Sequence, residues 1–316
     1  MKKLIIVTTV LTAVALVSAP VKAEWPKDKP IKIVIPYSPG GGFDTYVRGL
    51  APVIAKQLGA GVTVVPENIP GAGGNKGSTV IYRAKPDGYT IGIVNVPGIT
   101  VAKARGDKLS FDPAKYSWLV KVADSPYGIA ASGKSKMKTM KDLCNLGRPA
   151  KLAQTGPTSS GYVTGVIIMK TMGCPFKMIT GYKGSSGAVT AMLRGEVDAS
   201  VRPLGTVAKY VKSGDLKVLM EVTPKGAKAA GYPKLGQLGL KRMLVGPPGM
   251  SADLVKKWSD ALLRTVNTKE IKALVKKRRD KHAPAGAAET QRLHAELGKF
   301  YEQYKHLMEK KKKKKK

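Results

Sequence analysis

The stretch Ile31-Lys32-Ile33-Val34-Ile35-Pro36-Tyr37 is a β-branched run that stops at Ser38-Pro39-Gly40-Gly41-Gly42, and this junction constrains the fold more than any other part of the chain. A strand that ends in a tight glycine turn and leads straight into a helix is the opening of an α/β unit. Asp44 is placed to cap that helix, and Val47, Leu50, Ile54 and Leu58 recur at spacings of three and four before Gly59 ends it. Pro52 is the one residue that dissents. Val62 to Val65 reads as a second strand, Gly71 to Gly77 as a second glycine turn, Ser78 to Arg83 as a helix and Thr90 to Val94 as a third strand, completing βαβαβ.

The middle of the chain repeats this grammar. Strand signals fall at Gly128 to Ala131, Lys151 to Gln154, Met178 to Tyr182, Val197 to Val201 and Leu216 to Glu221, with helix over Tyr162 to Met172. Two α/β units predict two lobes. The last 70 residues read as helical: Leu254, Val255, Trp258, Ala261 and Leu262 mark one amphipathic helix, and Leu293, Leu297, Phe300, Tyr304 and Leu307 mark another whose aromatic stripe suits core packing. Lys276-Lys277-Arg278-Arg279 reads as a solvated helix end, where cations suit the dipole.

At the amino terminus, Met1-Lys2-Lys3 precedes the apolar run Leu4 to Val17, and Val21-Lys22-Ala23 offers a signal-peptidase site. Fourteen residues span about 21 Å as a helix, short of the roughly 30 Å hydrocarbon core. Residues 1–23 therefore read as a cleaved leader, with a mature chain that starts near Glu24 and is soluble outside the cytoplasm. The 316 residues carry 55 Lys plus Arg against 21 Asp plus Glu, a net charge of +34. Setting aside three leader lysines and the seven of Lys310 to Lys316, a tail expected to be disordered, leaves the body at +24. Such a body attracts anions without choosing among them.

Cys144 and Cys174 are an even pair in a chain bound for an oxidising compartment, so a disulfide across about 30 residues and two buried thiols both remain open. His282, His294 and His306 fall 12 residues apart on different helix faces and read as surface histidines, with no metal site. Ser159, Ser160, Ser185 and Ser186 lack a nucleophile elbow, and no histidine precedes residue 282 to serve them as a base.

Three glycine loops, Ser38 to Asp44, Pro70 to Ser78 and Thr155 to Gly161, each follow a strand and precede a helix, where backbone N–H groups favour an anion. The second is no nucleotide loop, because Lys76 precedes Gly77 and also occupies the sixth position of the dinucleotide pattern. A ligand cleft between lobes accounts for all three. A secreted polyanion-binding protein and an extracellular enzyme on the same fold are the other classes. The first lacks clustered basic and aromatic positions, and the second lacks a catalytic set.

In order and spacing, several segments resemble the tricarboxylate-transporter substrate-binding proteins, the TctC-like or Bug receptor family. They are Val34-Ile35-Pro36-Tyr37-Ser38-Pro39-Gly40-Gly41-Gly42-Phe43-Asp44, Glu67 to Gly77, Lys85-Pro86-Asp87-Gly88-Tyr89-Thr90, Gly181-Tyr182-Lys183-Gly184 and Gly195-Glu196-Val197-Asp198-Ala199. The family's first helix is similar in carrying Leu-Ala-Pro, which accounts for Pro52. The resemblance implies an α/β, type 2 periplasmic-binding-protein fold: two α/β lobes around a central ligand cleft, lobe 1 formed by 24–125 and 223–309 and lobe 2 by 126–222. It also implies a monomeric periplasmic receptor with no cofactor, no enzyme activity and no specific nucleic-acid partner. Such a receptor captures a small organic anion and delivers it to the membrane subunits of a tripartite tricarboxylate-type transporter. In these receptors backbone groups and ordered waters grip a carboxylate. Carried over, the site comprises Tyr37, Ser38, Gly42, Phe43, Asp44, Asn75, Asn95 and Val96 from one lobe. From the other come Thr158, Ser159, Ser160, Gly161, Tyr182, Asp198 and Arg202. Ile69 stands where the family has arginine. Arg202 departs from the acidic or small residue of many relatives, and reads either as a fork for a carboxylate or as a surface arginine.

Overall fold

The computed structural model describes residues 25–308; the expected leader (1–23) and the lysine tail (310–316) lie outside the described residues. The chain opens with β1 (Ile31–Ile35), α1 (Gly42–Leu58), β2 (Val64–Asn68), α2 (Asn75–Arg83), β3 (Thr90–Val96) and α3 (Gly98–Ala104). β1 pairs in parallel with both β2 and β3. Then comes β4 (Ser117–Ser132), 16 residues long, of which sequence signals caught only the last few. The second half follows as α4 (Met140–Cys144), β5 (Ala150–Ala153), α5 (Ser160–Thr171), β6 (Phe176–Ile179), α6 (Ser185–Leu193), β7 (Ala199–Pro203), α7 (Leu204–Lys212) and β8 (Leu216–Val222). The chain returns through α8 (Pro224–Ala229), β9 (Gly239–Gly246), α9 (Ala252–Val266), α10 (Lys269–Lys277), β10 (Lys281–Ala285), α11 (Ala287–Glu302) and α12 (Lys305–Met308).

β4 belongs to both halves. Its Ser117–Pro126 portion pairs antiparallel with β9, and β9 with β3; from Tyr127 onward it pairs with β7 and β8. The strand order β2-β1-β3-β9-β4-β7-β5-β6 therefore bends at one continuous strand. Each half buries apolar side chains on both faces, as a sheet flanked by helices must. Ile33, Leu50, Ile91, Trp258 and Leu262 fill one layer of the first half, and Val163, Ile167, Leu152 and Val201 one layer of the second.

Several expectations need correction. Asp44 is not the cap of α1: Gly41 is, and Asp44, in the first turn, accepts the Gly40 N–H at 2.9 Å. α1 runs on through Pro52. The carboxyl-terminal stretch is not all helix, because Lys281–Ala285 pairs with β4. Nor does all of 223–309 pack with the first half: Tyr301 and Met308 lie in the core around α5, and Leu297, Phe300, Tyr304 and Leu307 pack against it. His294 is 8% exposed and stacks on Trp118 at 4.4 Å between ring centres, so it is no surface histidine.

Cys144 and Cys174 are bonded, tying the end of α4 to the turn after α5. In the loop-entropy model a link across 30 residues stabilises by about 3 to 4 kcal/mol. The double variant Cys144→Ser/Cys174→Ser should lose about that much in urea unfolding. An unchanged midpoint would mean that the bond constrains nothing the fold does not already fix.

Candidate functional site

Parallel strands deliver their following loops to one edge, and here the loops after β1, β2 and β3 face those after β5, β6 and β7. The space between them has two parts. An outer cleft of about 420 Å³, a size that suits a small ligand, is lined by Gly71 to Asn75, Asp107, Lys108, Thr155 to Thr158 and Thr180 to Lys183. Behind it lies an inner chamber of about 30 Å³, lined by Gly41, Gly42, Phe43, Asn95, Tyr127, Ser159, Gly161, Ser185, Arg202, Pro203, Thr206, Leu240 and Arg242. Tyr37 and Thr155 line both.

A hydrogen-bond relay joins the two halves behind the cleft. Tyr37 Oη donates to Gly73 O at 3.0 Å and accepts from Asn95 Nδ2. The Asn95 Oδ1 atom accepts from the Ser160 backbone N–H at 3.1 Å and from the Ser160 hydroxyl, which in turn accepts the Gly98 N–H at 2.9 Å. Every polar atom in this relay that faces its neighbour is paired, so the relay fixes geometry without an unmet donor. Burial pushes the Tyr37 phenol up to about 12, outweighing the Asn95 hydrogen bond and the nearby Arg202 charge, and keeps it a neutral donor. Further out, the Ser38 N–H donates to Lys183 O at 3.2 Å, closing one side of the mouth. On the other side Gly73 abuts Gly156: a Cβ on Gly156 would stand 2.7 Å from the Gly73 Cα, so only glycine permits this approach.

The chamber is ringed by helix starts. α1, α6 and α7 begin there, none with a side-chain cap, leaving first-turn N–H groups with no partner within their own helices. Arg202 and Arg242 complete the wall. Arg202, 5% exposed, is neither a surface arginine nor an open fork, since its Nε donates to Ser200 Oγ at 2.7 Å and its Nη2 to Ala153 O at 3.0 Å and Gln154 Oε1 at 2.9 Å. Burial pulls its pKa down to about 10, against the opposing effect of Tyr127 and Tyr37, which still leaves it charged at neutral pH. Arg242 is fully buried, and its Nε donates to Ser125 Oγ at 2.9 Å and lies 3.4 Å from Asp280 Oδ2. Arg278 turns inward from the end of α10 to donate to Thr206 Oγ1 at 3.0 Å, so the basic run there is not wholly solvated. Burial, then repulsion from Arg242, lowers its pKa.

Of the residues expected at the site, Tyr37 lines both spaces, and Gly42, Phe43, Asn75, Asn95, Thr158, Ser159, Gly161, Tyr182 and Arg202 line one or the other. Ser38 and Ser160 hold the halves together beside them. Asp44 does not face the space: its carboxylate is taken by the Gly40 N–H, by Arg48 at 2.9 Å and by Asn68 at 3.0 Å. Val96 is buried in the apolar layer with Val94 and Met243. Asp198 stands at the opposite end of β7, gripped by both Arg148 Nη atoms at 2.7 and 2.8 Å and by the Lys151 N–H at 2.8 Å. Sequence reasoning missed Lys108, Tyr127, Thr206 and Arg242. For Arg242 the signal was slight, a Lys241-Arg242 pair directly ahead of the apolar run Met243 to Val245, where a cation drawn into a buried strand requires partners. Among the described residues no cluster of His, Cys, Asp and Glu suits a metal, and no helix is long and apolar enough to cross a membrane.

Comparison with known proteins agrees with this geometry. The model of the tripartite tricarboxylate transporter family receptor, TctC, matches residues 46–301. A protein of Cupriavidus necator encoded in the gbd 5' region is 31% identical over 269 residues, covering 81% of this chain and 80% of its own. The periplasmic binding protein BugD superposes with a TM-score of 0.79 at 22% identity, covering 90% of this chain and 99% of its own. MatC of Rhodopseudomonas palustris with bound malate gives 0.79 at 21% identity, covering 89% and 99%. These likenesses establish the mixed α/β periplasmic-binding-protein fold.

The position of Asp198 generates a test. The hydrogen bonds from Arg148 hold its carboxyl below the usual range against the pull of burial. A depressed folded pKa means that the stabilisation is complete at neutral pH and is lost as pH falls through that value. Asp198→Asn should cost about 1 to 3 kcal/mol in denaturant unfolding at pH 7, with the deficit shrinking in acid. Ligand affinity should not change, and a large loss of affinity would return Asp198 to the binding site.

Proposed function

Because the chain belongs to the tripartite tricarboxylate transporter receptor family, whose members are binding proteins rather than enzymes, we propose that it captures a small organic anion, a carboxylic acid, in the periplasm. It then hands that acid to the membrane subunits of a tripartite tricarboxylate-type transporter. The observation that carries this reading is the cleft itself: loops from both halves meet around a space walled by uncapped helix starts and buried arginines, with Asp280 the opposing carboxylate at Arg242. An anion is the ligand that such a wall stabilises. The malate bound by MatC supports a carboxylate, and the basic-apolar-small leader supports export.

Binding and release follow from the bent sheet. When the halves separate about the strands that join them, the outer cleft opens to water; when they close, the relay through Tyr37, Asn95 and Ser160 re-forms and the Gly73 and Gly156 backbones meet. Ligand that bridges both halves selects the closed form, and the transporter receives a shape that exists in quantity only when loaded.

A thermal-shift screen of the mature protein against mono-, di- and tricarboxylates, aromatic acids and amino acids should find at least one acid that raises Tm with concentration. Absence of any shift across carboxylates, with retention on immobilised nucleic acid at low salt, would favour polyanion binding instead. Gly156→Ala should weaken the best acid by at least tenfold, because its Cβ cannot coexist with the closed contact to Gly73. Small-angle scattering should then show no compaction at ligand concentrations that compact the wild type. Amino-terminal sequencing of exported protein should begin at or near Glu24.

A further inference from the structure

Arg242 is held as if for a partner it does not have. Its Nε edge is occupied by Ser125 and Asp280, and its faces lie against the rings of Phe43 and Tyr46, 5.0 and 4.4 Å from their centres. The guanidinium can therefore neither rotate nor withdraw. Yet Nη1 and Nη2 are inaccessible to solvent and have no hydrogen-bond partner among the described residues. Donors left so in a dry interior are costly, and a fixed, unmet fork on a chamber wall is a preorganised oxyanion receptor.

The surroundings point the same way. The Nη2 atom lies 3.1 Å from where a Cβ on Gly42 would stand, so glycine at the start of α1 admits the fork against the helix terminus. Arg202 and Arg278 add two cations, and among the described residues Asp280 is the only carboxylate paired with Arg242. Tyr46 donates to that same Asp280 at 2.6 Å. The chamber's roughly 30 Å³ suffices for about two water-sized centres.

We propose that Arg242 binds the ligand directly: its Nη1–Nη2 edge, covered in this structure, is uncovered when the halves part and then pairs with both oxygens of one carboxylate seated at the inner chamber, the remainder of the acid passing Tyr37 and Thr155 into the outer cleft. This rests on the reading of the protein as an organic-anion receptor and adds to it a side-chain charge clamp, in place of a grip by backbone and water alone. Arg202, pinned by Ser200, Ala153 and Gln154, supplies charge from the other half without supplying the fork.

The test is calorimetric titration of the whole mature protein with acetate, succinate, adipate and benzoate. Wild type should bind at least one of them. Arg242→Lys keeps the charge but not the fork, so it should weaken that acid at least tenfold. Arg242→Met strands Asp280, so the double variant Arg242→Met/Asp280→Asn provides a charge-balanced second test; folded by circular dichroism, it should bind no acid detectably. Full affinity in Arg242→Lys, or binding by the folded double variant, would overturn the clamp and leave the receptor reading intact. A wild-type protein that binds none of these acids and none of those in the thermal-shift screen would overturn both.

Discussion

One strand is shared by both halves of the sheet, and the rest of the site depends on it. β4 is 16 residues long, and at Pro126 to Tyr127 it leaves one set of partners for another. Because its hydrogen bonds are spent on both sides of that point, the two halves are held as one sheet, bent there. The bend brings the carboxyl ends of β1, β2 and β3 against those of β5, β6 and β7. Each of these ends carries a loop, and most of the loops lead into a helix start, so backbone N–H dipoles converge on one space.

Convergent dipoles alone make a weak anion site in water. Burial changes the magnitude, because the same charges interact more strongly where water is excluded. The arginines of the chamber illustrate the cost. Arg202 is depressed to about 10 by burial, and Arg278 is lowered by burial and by its neighbour Arg242. Each of these groups would be better solvated at the surface. They are tolerated where they are because Ser200, Gln154, Ser125, Asp280 and Thr206 satisfy part of each guanidinium. What those partners leave unsatisfied, Nη1 and Nη2 of Arg242 among them, is what the proposed clamp would use.

Much of this was legible in the sequence, and the illegible part has physical causes. Glycine loops between a β-branched run and a helical period are local signals, so the loops at Gly40 to Gly42, Gly71 to Gly77 and Thr155 to Gly161 could be placed without tertiary information. β10 could not, since Lys-His-Ala-Pro-Ala has no strand pattern and is extended only because β4 offers it an edge. Asp198 misled for a geometric reason. It starts a strand whose other end reaches the chamber, and five residues of strand put about 16 Å between them. Arg202 does line the chamber, yet its Nε and Nη2 are already committed to main-chain and side-chain acceptors of its own half, which no linear pattern reveals. Arg242 went unnoticed because its strand did.

The distribution of charge divides capture from retention. Most lysines of the basic body are exposed, and ion pairs such as Lys256 with Asp260 or Arg292 with Glu289 sit in water, where each contributes little to stability. Their collective field still acts over roughly a Debye length and draws anions toward the mouth, where Lys108 and Lys183 line the outer cleft. That field cannot tell one acid from another. In the proposed reading, discrimination begins past Tyr37, where the path narrows from about 420 to about 30 Å³ and the remaining donors are fixed in direction. Salt in the medium weakens the first stage and scarcely reaches the second, because a fully buried guanidinium has no counterions to release. On the clamp proposed for Arg242, encounter therefore belongs to the surface lysines, and selectivity to the few arginines that cannot move.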